Sequence, residues 1–117
     1  MAHVVTGRCV GNKYTDCAAV CPVDCFYELD DPPMLVIDPD TCIDCQLCVS
    51  ECPVHAIYAE DEVPEPYQEW IEKNAELYKL GRQISEKKDP LPGAKTLQQI
   101  QQYEKDQGWE VSEPRNA

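Results

Sequence analysis

The sequence predicts a small α+β fold with an internal pseudo-two-fold repeat: two hairpin-like two-stranded sheets and two short helices, followed by a C-terminal helical extension. Three observations predict it. "CPVDCFYE" at Cys21–Glu28 parallels "CPVHAIYAE" at Cys52–Glu60, and each follows a three-residue spacer, "CAAVC" and "CVSEC". A strand-like run stands before and after each of these cysteine segments. Cysteines then stop at Cys52, and the composition changes from about Glu60 onward.

Taken in order, the first strand is "HVVT", His3–Thr6, followed by a cysteine loop and a helical turn from Cys17 to Cys21. Phe26–Leu29 forms the next β-like run, and "DDPP" at Asp30–Pro33 is a turn separating the halves. The second half repeats the succession with "MLVI" at Met34–Ile37, the loop Cys42–Cys52, and Ala56–Ala59. These two βαβ-like units make a module spanning residues 1–60. Residues 61–117 are an extension expected to wrap the module within one domain. Its start, "EDEVPEP", reads as an exposed linker. Apolar residues at 67, 70, 71, 75 and 78 then predict an amphipathic helix over Tyr67–Leu80 with Gly81 as its stop. "DPLPGA" at Asp89–Ala94 is a rigid loop, Leu97, Ile100 and Tyr103 suggest a weaker second helix, and the last ten residues are expected to fray.

The chain has 117 residues, and its 43% hydrophobic content includes eight cysteines, so apolar packing alone is thin for a self-sufficient core. A disulfide framework, a zinc site and iron–sulfur clusters are the three readings of so many cysteines. No charged segment followed by an apolar one opens the sequence, and no apolar run approaches membrane-spanning length. A reducing cytoplasm is the expected compartment, which argues against disulfides. Zinc ribbons pair two C-x2-C knuckles a dozen or more residues apart. The run "CIDCQLCVSECP" instead reads C-x2-C-x2-C-x3-C-P, which is iron–sulfur spacing. Formal net charge is −12, which excludes nucleic acid as a partner and suits docking to basic faces of redox proteins.

Aligning the repeats on their C-P pairs sets Cys21 opposite Cys52, Cys17 opposite Cys48 and Cys9 opposite Cys42. Asn12 stands opposite Cys45, and Cys25 opposite Ala56, so the first run lacks one thiolate. In proteins with two such runs, the fourth cysteine of each binds the other run's cluster. Cys17 and Cys21 are one helical turn apart, so a single turn reaches both clusters, and Cys48 with Cys52 repeats this. Cys21, Cys42, Cys45 and Cys48 then supply four thiolates for a [4Fe–4S] cube, while Cys9, Cys17 and Cys52 supply three, as a [3Fe–4S] cluster requires. Pro22 and Pro53 stop the helical turns after the cross-ligating cysteines.

With "NKYTDC", "CPVDCFYE", "CIDCQLC" and "ECP", and with "NAELYKLGRQISEKKDPLPGA" in the tail, the chain resembles the bacterial seven-iron ferredoxins of the long type known from Azotobacter. The similarity covers roughly residues 1–94. It implies the same ligand sets, and it implies that Cys25 is a free thiol beside the cube. Asn12 departs from the long type, which carries a further non-ligand cysteine there. The resemblance also implies ferredoxin reductase, nitrogenase-system or haem monooxygenase partners.

Asp16 precedes Cys17, and reduction of a neighbouring cluster would favour proton uptake on its carboxylate, so Asp16 is a candidate for proton coupling. His3 and His55 fall outside the ligand alignment and read as surface or packing residues. Tyr14, Phe26, Tyr27 and Tyr58 are expected to wall the clusters from water. Nothing outside the cysteine runs resembles a nucleophile–base pair or a phosphate-binding glycine loop. The function expected is therefore one-electron transfer by a monomeric carrier, without catalysis on a substrate. An oxygen- or iron-responsive redox regulator and an electron-entry subunit of a larger complex are the alternatives.

Overall fold

The structure is a computed structural model describing residues 2–30, 33–43 and 47–114. Chain order is β1 (His3–Val5), α1 (Asp16–Val20), β2 (Phe26–Asp30), β3 (Pro33–Ile37), α2 (Leu47–Glu51), β4 (Ile57–Ala59), α3 (Glu69–Leu77), β5 (Arg82–Gln83) and α4 (Leu97–Asp106). The result is a small α+β protein with two antiparallel sheets, β1–β4 and β3–β2–β5. No helix among the described residues is long and apolar enough to cross a membrane.

Strand pairing follows from which runs can bury both faces. Every residue from Met34 to Ile37 is buried, because β3 is paired with β2 on one edge and packed against β1 and α3. The β2–β3 hairpin runs from Phe26↔Ile37 to Asp30↔Pro33. Asp30 and Pro33, expected in the turn, are thus paired strand ends, and 31–32 lie outside the described residues. The other sheet is not a hairpin: β1 and β4 come from opposite ends of the module and pair His3↔Ala59 and Val5↔Ile57.

β5 adds a third strand that hydrophobic patterning did not indicate. It pairs Tyr27↔Gln83 and Glu28↔Arg82 on the outer edge of β2. Both β5 residues are exposed, and a two-residue polar strand leaves no alternation to read. Just before it, Gly81 ends the helical segment as expected, though not as a left-handed cap: its φ is −96°. A side chain there would meet the Glu28 carbonyl oxygen at 2.8 Å, so glycine permits β5 to approach β2.

The extension is more ordered than its sequence suggests. The helix expected over Tyr67–Leu80 has its α-helical part at Glu69–Leu77, with 3-10 turns at Glu65–Tyr67 and Tyr78–Leu80. The second helix is longer than that reading implies, because Thr96 and Gln99 form a reciprocal capping box. Val63, Tyr67, Trp70, Ile84 and Ile100 enter the same core as the module. Within the expected frayed end, Trp109 N–H donates to the Glu104 carbonyl at 3.0 Å, and Tyr58 Oη donates to the Ser112 carbonyl at 2.7 Å. Pro114 is buried. Residues 115–117 lie outside the described residues.

Candidate functional site

Two short helices position most of the thiols. Each has five residues, too few to be stable alone, and they pack against each other, α2 also meeting β4. α1 carries Cys17 and ends at Cys21; α2 carries Cys48 and is followed by Cys52. None of the described cysteines forms a disulfide.

These thiols fall into two groups. Burial pushes the Cys9 thiol up to about 12, and Cys52 adds to the effect, while N–H groups of Leu35 and Lys13 oppose it. Burial likewise pushes Cys17 well up, with Cys52, Cys9 and Cys48 contributing in that order. Cys9, Cys17 and Cys52 are therefore within electrostatic reach of one another, and Cys48 reaches Cys17 as well, so α1 and α2 bring the two sets together at Cys17. On the other side, Cys21, Cys42 and Cys48 line a small gap walled by Val23, Phe26 and Ile37. Cys25 lines it too, with its Sγ 3.3 Å from Cys21 Sγ. Its thiol is pushed up by hydrogen bonding with Cys42 first, then by burial and by Cys21. Cys45, expected in this group, lies outside the described residues.

Backbone amides point at the sulfurs, as anionic ligands require. Leu35 N–H donates to Cys9 Sγ at 3.4 Å. Cys25 N–H donates to Cys21 Sγ at 3.4 Å, and Ala56 N–H to Cys52 Sγ at 3.3 Å. The last two bonds are counterparts in the repeat. Each follows a Cys-Pro-Val segment and a residue in the left-handed region, Asp24 at φ 51° and His55 at φ 52°. That conformation turns the next N–H back towards the sulfur. Soft thiols with amides aimed at them fit an iron–sulfur group, whose irons would offset the cost of burying several thiolates together. Among the described residues no three donors converge tightly enough for a single metal ion.

Asn12, opposite Cys45 in the repeat, is buried and committed elsewhere. Its Nδ2 donates to the Arg8 carbonyl at 2.8 Å, and its Oδ1 accepts from Lys95 N–H at 2.7 Å. Asp16 lies near enough to Cys52 to push that thiol up, as a smaller contribution after burial, and its Oδ2 is 3.7 Å from Lys87 Nζ. Phe26 and Tyr58 are buried, Tyr27 packs on Tyr78 with ring centroids 5.4 Å apart, and Tyr14 donates to the Lys95 carbonyl at 2.9 Å.

Neither Arg8 nor His55 is a simple surface residue, and sequence reasoning missed their partners. Arg8 has a side-chain exposure of 0%. Its Nε and Nη2 donate to the two oxygens of Glu104 at 2.8 Å each, and Nη1 and Nη2 donate to Glu113 at 3.0 and 2.8 Å. Tyr67 Oη donates to Glu104 at 2.6 Å, and His55 Nδ1 lies 2.9 Å from Glu113. Burial alone would lower Arg8, but its bonds to Glu104 and Glu113 outweigh this and raise it further, so it stays charged. Nothing in the spacing links residue 8 to residues 104 and 113.

Residues 35–58 match the family of 4Fe-4S binding domains. The chain is 51% identical over 79 residues to a protein of Hydrogenibacillus schlegelii named Ferredoxin 7Fe, covering 68% of this chain and 99% of that relative. It is 50% identical over 96 residues to a protein of Rickettsia felis named Ferredoxin, covering 80% of this chain and 84% of that one. With thiols in two groups and amides directed at their sulfurs, the chain belongs to the bacterial seven-iron-type ferredoxins and is an iron–sulfur electron carrier.

Proposed function

We propose that the protein passes single electrons between oxidoreductases through one [3Fe–4S] and one [4Fe–4S] cluster. Cys9, Cys17 and Cys52 hold the first; Cys21, Cys42, Cys45 and Cys48 hold the second. The observation that carries this reading is Asn12: at the place of a fourth ligand for the first group, the amide is spent on Arg8 and Lys95. The name Ferredoxin 7Fe of the Hydrogenibacillus relative points the same way. The matched amide–sulfur bonds after Asp24 and His55 favour a pseudo-two-fold arrangement of the two cysteine units.

Iron–sulfur clusters supply reversible one-electron chemistry at potentials set by charge, hydrogen bonds and exposure. The chain's residues tune it. Amides of Leu35, Cys25 and Ala56 favour the more negative reduced state. Phe26 and Ile37 exclude water on the cube side. Cys25 remains a free thiol there. Asp16, next to Cys17 and with its Oδ2 3.7 Å from Lys87 Nζ, would be the carboxylate that couples a proton to reduction of the three-iron cluster. The protein works as a monomer, and its partners are redox proteins with basic docking faces, of which ferredoxin reductases and nitrogenase-system or haem monooxygenase acceptors are the candidates.

Low-temperature EPR of the air-isolated protein, with iron analysis and redox titration at several pH values, tests this. The expected result is about one spin and about seven irons per chain, with a three-iron potential that shifts with pH in the native chain but not in Asp16→Asn. An EPR-silent oxidised sample with about eight irons would overturn the three-ligand assignment. An unchanged pH slope in Asp16→Asn would remove Asp16 from the mechanism.

A further inference from the structure

β5 aside, the bonds from residues 87–114 to the cysteine module are concentrated on one side. Thr15 Oγ1 donates to the Lys88 carbonyl at 2.9 Å and accepts from Lys88 N–H at 2.6 Å. Leu91 N–H donates to the Asn12 carbonyl at 3.0 Å, and Lys95 N–H to Asn12 Oδ1 at 2.7 Å. Farther on, Glu104 and Glu113 hold Arg8, Glu113 also meets His55, and Ser112 accepts from Tyr58. Apart from Lys88 on Glu28, all of these anchors lie within 8–16 or 55–58. Those segments carry Cys9 and the start of α1, and directly follow Cys52.

We propose that residues 87–114 are a strap across the Cys9–Cys17–Cys52 site, and that its anchors set how readily this site takes up iron. The proposal rests on the three-iron reading. By repeat alignment, a fourth ligand would approach from position 12, and there the strap is tied to both the backbone and the side chain of Asn12. On this arrangement ferrous iron arriving from the Asn12 side would have to pass the strap. The step balances without further electrons once the cluster is reduced: [3Fe–4S]⁰ plus Fe²⁺ gives [4Fe–4S]²⁺. No bond in the chain breaks, and the new iron takes its terminal ligand from solvent. Starting from the oxidised cluster, one electron from a low-potential reductant is required first. Thus Glu104, Glu113, Ser112 and Lys95, remote in sequence from any cysteine, govern which cluster the site holds.

The test uses anaerobic holoprotein reduced with dithionite and mixed with ferrous iron. Samples are reoxidised at intervals, and the remaining three-iron EPR signal is integrated. Glu113→Gln weakens one pair while leaving Arg8 bound to Glu104; Tyr58→Phe removes one hydroxyl and keeps the ring. Both variants should lose the signal about tenfold faster than the native chain, with faster amide hydrogen exchange across α4. Lys73→Ala, on the exposed i,i+4 pair of α3, should match the native rate. If neither strap variant is faster, or if Lys73→Ala is accelerated equally, the strap is overturned. Should Glu113→Gln fail to hold clusters, Tyr58→Phe decides alone. A native sample with no three-iron signal before iron is added would instead sink the three-iron reading.

Discussion

Asn74 sits at 0% exposure in the middle of α3, where a polar side chain must find partners for all of its hydrogen-bonding groups. It does so by joining elements that do not pair directly. Its Oδ1 accepts from Val5 N–H at 3.0 Å and Ile37 N–H at 2.9 Å; its Nδ2 donates to the Val5 and Trp70 carbonyls at 2.8 Å each. One amide therefore closes the gap between β1 and β3 and fastens α3 to both. Asn74→Ala would leave three strand backbone groups buried without partners, at a cost of about 3 kcal/mol or more. The urea midpoint for loss of the visible cluster absorbance should fall sharply in Asn74→Ala. Asn74→Asp, which keeps the acceptor but neither donor, should fall as well. The periodicity of α3 is legible from positions 67, 70, 71, 75 and 78, but a polar residue on the inward stripe cannot be distinguished from a surface one until its partners are known.

The outer edge of the β3–β2–β5 sheet is organised by two carboxylates of β2: Asp30 meets Arg82 at 3.1 Å and Lys13 at 3.6 Å, and Glu28 gathers three bases. Glu28 on β2 is contacted by Lys13 at 3.1 Å, Arg82 of β5 at 3.0 Å and Lys88 at 3.1 Å. Burial by itself would raise its pKa, but the bonds from Lys88 and Lys13 outweigh that and hold it below the usual carboxylate range. A carboxyl depressed on folding stabilises the native state above its unfolded value of about 4.3, and this support is lost as pH falls through the folded value. Denaturant midpoints measured from pH 7 to pH 3 should drop steeply below about pH 4 in the native chain. Glu28→Gln should be weaker at pH 7 and flatter across the acid range; an equally steep profile would place the acid sensitivity elsewhere. α4 offers a contrast in legibility. Its apolar spacing is sparse, yet the Thr96–Gln99 box was present in the sequence as a local signal for its start. The pairing of β5 had no such local signal, because it depends on a glycine that lets two backbones meet.

Across the whole molecule, charge is unequally distributed. No Lys or Arg occurs between Lys13 and Lys73, a stretch that includes six of the seven expected ligands. Several of the bases that do occur are already occupied: Lys13, Arg82 and Lys88 on Glu28, Lys87 on Asp16, and Arg8 in its buried network. An acidic surface of this kind should speed electron transfer to a basic c-type cytochrome. That second-order rate should fall roughly tenfold between low and about 0.5 M salt. A rate independent of ionic strength would show that docking does not use this field. The iron–sulfur family was legible at this scale because cysteine spacing is local and the repeat supplies its own internal comparison. The strap was not legible, since its contacts join residues 96 and 105 positions apart through ordinary Glu and Arg side chains.

Those separations also impose an order on biosynthesis. Arg8 emerges from the ribosome long before Glu104 and Glu113 have been translated, so nascent chain has no means of completing that buried pair. Until then the Arg8 guanidinium lacks both carboxylates, and burying it unpaired would be costly. Desolvation of Arg8 and docking of the Glu104 and Glu113 segments are therefore one event, which waits on the late-made part of the pair rather than on the cysteine runs.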